Sequence, residues 1–135
     1  MLFRSSVTST SVVDTNVILR YLLRDDERLY QRAREFFVRV QNAEEAAYFP
    51  DSVIAECTYV LDKLYHLRRD DIAIRLLQVV SFRGVDPENR ALLQAALALY
   101  QSRNIDFVDA LAAVMARSKG WKLMTFDRPL QRLAK

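Results

Sequence analysis

Residues 11–23 read SVVDTNVILRYLL: a short apolar run stops at Asp14 and passes straight into a helical pattern, with Val17, Ile18, Tyr21 and Leu22 on one side. The rest of the chain repeats this alternation. A second helix is expected over Glu27–Gln41, with Leu29, Ala33, Phe36, Phe37 and Val40 on one face. A strand is expected over Ala46–Phe49, before Pro50. The next helix carries Val53, Cys57, Val60, Leu61 and Leu64, with Asp51 or Ser52 as its cap. Further helices are expected over Asp70–Ser81, Glu88–Ser102 and Phe107–Ser118, the last stopped by Gly120, and further strands over Phe82–Val85 and Lys122–Phe126. Short strands alternating with helices predict an α/β fold, a parallel sheet covered on both faces.

Composition narrows the chemistry. The chain has 135 residues, 51% hydrophobic and 27% charged, which suits one globular domain. Its single cysteine, Cys57, can neither staple the fold internally nor build a thiolate zinc site, and points to a reducing compartment. One histidine excludes a multi-His metal centre. Two glycines are too few for a phosphate-cradling loop. No apolar stretch approaches the roughly 18 residues of a membrane span, and the N-terminus lacks the apolar run of a secretory signal, so a cytoplasmic protein is expected. The net charge of +3 is unevenly spread: residues 117–135 hold six basic side chains against one acid, Asp127. That end suits contact with a phosphate backbone, or simply a solvated helix end. The remaining candidates for chemistry are carboxylates.

Ligands of parallel α/β folds collect beyond the carboxyl ends of the strands. Asp14 and Asp127 fall there, although each can equally cap the helix that follows it. Glu56 sits at the margin of the apolar stripe of its helix, where an unpartnered carboxylate is costly. Asp109 is the sole carboxylate within FVDALAAVMA, a segment otherwise apolar all round. Each pair of converging acids at about 4 Å costs on the order of 1–4 kcal/mol. A domain stable by roughly 5–15 kcal/mol does not keep such a cluster without a compensating proton or cation. An all-oxygen donor set selects a hard cation, Mg²⁺ or Mn²⁺, and metal-assisted phosphodiester hydrolysis follows as the reaction class.

The segments VVDTNVILRYLL, SVIAEC, DFVDALAAVMARSKG and LMTFDRPL, in this order, resemble the PIN-domain ribonucleases, and within them the VapC-type toxins of toxin–antitoxin systems. The likeness spans about residues 11–130. It implies a three-layer α/β/α sandwich around a parallel sheet of four to five strands, with 11–135 as one nuclease domain; residues 1–10 depart from the family pattern and are expected to be a flexible N-terminal extension. It also implies Mg²⁺- or Mn²⁺-dependent cleavage of RNA, a homodimer, and a cognate antitoxin whose tail occupies the active-site groove. By position, Asp14, Glu56, Asp109 and Asp127 become the metal-holding quartet. Asp14 and Asp109 would bind directly, while Glu56 and Asp127 would position water. Thr15 and Asn16 would shape the loop at Asp14, Thr125 would orient Asp127, and Asp106 would support.

Other readings compete with this one. A catalytically silent or non-toxin PIN-like protein that binds or processes RNA would keep the fold. A response-regulator receiver also clusters acids at strand ends, but would need a lysine where Asp127 closes the last strand, and DxD phosphatases fail at Asn16. His66 reads as an exposed helix-end residue and Cys57 as core. Trp121 and the phenylalanine pairs read as core or dimer interface. Arg20, Arg24, Arg68 and Arg69 are candidates for contact with RNA or an acidic antitoxin segment.

Overall fold

In a computed structural model, which describes residues 9–135, the expected alternation forms around a smaller sheet. Strand β1 (Thr10–Val12) leads into α1 (Thr15–Leu23) and α2 (Glu27–Gln41). Strand β2 (Ala46–Tyr48) leads into α3 (Asp51–Lys63) and α4 (Arg69–Val80). Then come α5 (Pro87–Ser102), α6 (Phe107–Lys119) and the short α7 (Arg128–Leu133). The expected N-terminal extension lies outside the described residues as far as residue 8, and β1 begins inside it, at Thr10.

β1 and β2 pair in parallel, with Ser11 opposite Ala47. A single parallel bridge from Ala47 to Val85 adds a third track, so among the described residues the sheet has two strands and one bridge where four to five strands were expected. Gly84 explains the shortfall on one side. Its N–H donates to the Val40 carbonyl at 2.8 Å, and a Cβ there would collide with the Glu45 and Val40 carbonyl oxygens. The chain turns tightly where a strand was expected, Val85 N–H reaching back to the Phe82 carbonyl at 3.1 Å. On the other side, Thr125 in the segment Lys122–Phe126 is engaged locally. Gln131 Nε2 donates to the Thr125 carbonyl at 2.8 Å, and the Asp127 N–H donates to the Thr125 hydroxyl at 3.1 Å. This segment pairs with no strand, and Phe126 is 94% exposed.

Phe37 on α2 is the hub of the main core. It packs against Tyr21 of α1, Phe49 after β2 and Phe82 after α4, with ring centroids 4.7, 6.4 and 6.0 Å away. A satellite cluster of Ala113, Ala116, Leu130 and Ala134 seats α7 on α6. The helix after β2 starts at Asp51 itself, with Pro50 as its cap residue, so neither Asp51 nor Ser52 caps it.

One polar side chain is buried at a junction. Asn89 in the first turn of α5 accepts from the Phe49 N–H at 2.8 Å and donates to the Phe49 carbonyl at 2.9 Å. Its amide replaces the neighbouring strand that residue 49 lacks. Replacing Asn89 with Leu leaves two buried backbone groups unsatisfied, so the Asn89→Leu variant should unfold about 2–5 kcal/mol more easily in a urea titration. A loss within 0.5 kcal/mol would show that water or a backbone shift replaces the amide.

Candidate active site

Several helices begin at an aspartate, and what each carboxylate does separates them. Asp26, Asp86 and Asp127 accept the N–H groups of Leu29, Asn89 and Leu130 at 3.0–3.1 Å, as helix caps do. Asp14 and Asp106 occupy the same position before α1 and α6 and make no such bond. Both are exposed, and their carboxylates are left free for another partner. Asp109, two residues into α6, is half-buried.

The exit of β1 and the middle of α3 are joined by one short contact. Thr15 is 8% exposed, and its hydroxyl donates to Glu56 Oε1 at 2.7 Å. That bond holds Glu56 beside the loop carrying Asp14. Behind them lies the buried Cys57. Burial first, then the charges of Glu56 and Asp14, push its thiol from an ordinary 9.0 up to about 12. Both carboxylates therefore act on one point from two different elements. Asn16 is exposed beside Asp14, on the rim of a groove of about 380 Å³ with Val13, Arg20, Arg32 and Phe36.

The structure gathers the expected residues only in part. Asp14, Thr15 and Glu56 come together, while Asp127 is committed to capping α7 and Thr125 to the Asp127 N–H. Among the described residues, no group of three or more Asp, Glu, His or Cys lies close enough to hold a metal ion. The donor chemistry still suits a hard cation, since the free groups are all carboxylate oxygens. His66 is exposed in a left-handed turn conformation (φ 56°) after α3.

Three of the arginines singled out from sequence have structural partners. Arg20 pairs with Asp25 at 3.0 Å, and Arg24 pairs with Glu27 at 3.0 Å while lying 4.1 Å from the Tyr30 ring centre. Arg69 is bonded to backbone carbonyls. Only Arg68 has no side-chain bond among the described residues. Asn89 was missed from sequence altogether, because an asparagine in a first helical turn looks like an ordinary exposed residue.

An aspartate without a capping bond at the exit of β1, tied through its neighbour to a glutamate on a later helix, thus marks the candidate site. The PIN-domain profile matches residues 11–135, and the chain belongs to that family. It is also similar to the VapC ribonuclease of Aquifex aeolicus (strain VF5), at 28% identity over 123 residues that cover 90% of each chain. No solved structure gives a significant match.

The buried thiol offers a check on the electrostatics. Its folded pKa lies above its unfolded value, so it contributes stability that is present below pH 9 and is lost as pH rises toward 12. In native protein at pH 8, Cys57 should resist a thiol-reactive dye that labels it within seconds in urea. Rapid labelling of the native state would place the thiol at the surface.

Proposed function

We propose that this protein is a metal-dependent ribonuclease that hydrolyses RNA phosphodiester bonds, and that it is the toxin of a type II toxin–antitoxin pair. The observation that carries this reading is the Thr15–Glu56 bond beside the uncapped Asp14, in a chain of the PIN family. The similar Aquifex protein, a VapC ribonuclease, supports the choice of RNA and of an antitoxin partner. A homodimer acting in the cytoplasm belongs to the same reading. Among the described residues no helix is long and apolar enough to cross a membrane.

In this reading Asp14 and Asp109 bind Mg²⁺ or Mn²⁺ directly, while Glu56 and Asp127 orient water and Asp106 supports the set. The cation, when bound, neutralises phosphate charge and makes water more acidic. The chain's own residues do the positioning. Thr15 holds Glu56 by its 2.7 Å bond and spares it the rotational freedom of an exposed glutamate. Thr125 steadies the Asp127 loop, and Asn16 flanks Asp14. The basic side chains of residues 117–135 face solvent and can hold the RNA backbone, a contact that weakens with salt.

Completing the quartet requires its acids to draw closer together, since no three of them gather among the described residues. Lys122–Phe126 supplies the means if it joins the outer edge of β1, where Val12 is 70% exposed, as a further parallel strand of a four- to five-stranded sandwich. Amide exchange over residues 122–126 should then slow when Mn²⁺ is added. Exchange unchanged at saturating metal would remove Asp127 from the metal-holding set.

The nuclease reading is tested by titrating Mn²⁺ into wild type and an Asp14→Asn/Asp109→Asn double variant, then assaying both on single-stranded RNA. Wild type should cleave, lose activity in EDTA and regain it with Mg²⁺ or Mn²⁺. The double variant should lose at least about a hundredfold. Equal cleavage by the two proteins, or RNA binding without cleavage by either, would favour the silent RNA-binding alternative.

A further inference from the structure

The geometry points to Arg69 as the positioning residue for the Asp106–Asp109 acid pair; this rests on the nuclease reading of those acids. Arg69 opens α4, yet its guanidinium reaches across to the junction of α5 and α6. One nitrogen, Nη1, donates to the Tyr100 carbonyl at 2.9 Å and to the Ile105 carbonyl at 2.7 Å. The plane lies over the Tyr100 ring, 4.2 Å from its centre. The ring packs in turn edge-on against Phe107, the first residue of α6, at 6.4 Å.

Each contact has a physical reason. Tyr100 lies in the last turn of α5, where carbonyls lack intrahelical partners and the helix dipole is negative, so a cation fits there. Ile105 immediately precedes Asp106. Arg69 therefore ties the end of one helix to the residue just ahead of the next helix's cap position. This tie is distinct from capping: Asp106 makes no side-chain bond to α6, and Arg69 donates to carbonyls only. At Asp26, Asp86 and Asp127 one carboxylate oxygen accepts a helix N–H and fixes the side chain against the helix start. Ahead of α6 a cation from another element fixes the chain at Ile105, and the carboxylates of Asp106 and Asp109 stay available. The charges around this junction are mixed: burial, then Asp62 and Asp106, push the Tyr100 hydroxyl up, and Arg69 opposes them. Arginine suits this place because a single Nη serves both carbonyls while the planar guanidinium stacks on a ring, and lysine has no such face to stack.

Arg69→Ala and Arg69→Lys can be compared with Arg75→Ala, a control that removes a similar bond, to the Leu22 carbonyl at 3.0 Å, at the far end of α1. Mn²⁺ affinity is measured by calorimetry well below each melting temperature, and amide exchange is followed over Phe107–Ala110. Arg69→Ala should weaken Mn²⁺ binding about 10- to 100-fold and speed exchange at the start of α6, with Arg69→Lys between it and wild type. Arg75→Ala should lower the melting temperature and leave both readouts unchanged. Should wild type bind no Mn²⁺, the nuclease reading fails and the exchange data alone decide the role of Arg69. The proposal is overturned if Arg69→Ala exchanges at the wild-type rate over Phe107–Ala110, or if it binds Mn²⁺ as wild type does. If Arg69→Ala does not fold, Arg69→Lys carries the same comparison.

Discussion

The architecture depends on a buried amide. Asn89 gives the Phe49 backbone both a donor and an acceptor, in a place where neither water nor a neighbouring strand reaches. A buried N–H and C=O without partners would each cost about 1–3 kcal/mol, a large share of the stability of a domain this size. The same side chain joins two halves of the molecule. Phe49 leads through Pro50 into α3, which carries Glu56. Asn89 starts α5, whose far end meets Arg69 and the entrance to α6, which carries Asp106 and Asp109. The two ends of α5 are thus tied to the segments that lead into α3 and α6.

The carboxylates differ in what local structure asks of them. A helix start offers free N–H groups and a positive dipole end, and an aspartate placed there normally takes one of them. Asp26, Asp86 and Asp127 do so. Asp14 and Asp106 do not, and in both places a different contact secures the turn: Thr15 to Glu56 at α1, Arg69 to Ile105 at α6. Freedom from capping therefore distinguishes acids whose position in the chain is otherwise the same. Asp127 differs from Asp14 and Asp106 in giving one oxygen to the start of α7.

Helices were the legible part of the chain. Glu27–Gln41 carries a clean apolar face, and its observed bounds agree with those read from periodicity, because burial of one face is recorded every three or four residues. Strands were less legible. Phe82–Val85 and Lys122–Phe126 both have strand-like composition, but a strand exists only with a partner edge, and partners are chosen by the whole fold. At the first, Gly84 lets the backbone press against Val40 and turn away. At the second, Gln131 and the Asp127 N–H hold Thr125 against the start of α7, away from any strand.

Composition alone reduced the chemistry to carboxylates, since one histidine, one cysteine and two glycines leave no other set of groups to act. Motif order pointed to the family, because residues 11–23 and their counterparts downstream place acids at the ends of helices and strands. Which acids are free was decided only in three dimensions. Asp14 and Asp127 look alike in sequence, each an aspartate ahead of a helix. Only the packing of Thr15 against α3 and of α7 against α6 separates the carboxylate left open from the one already engaged. A hydrogen bond between residues 41 positions apart leaves no local pattern to read, and that is the bond on which the site turns.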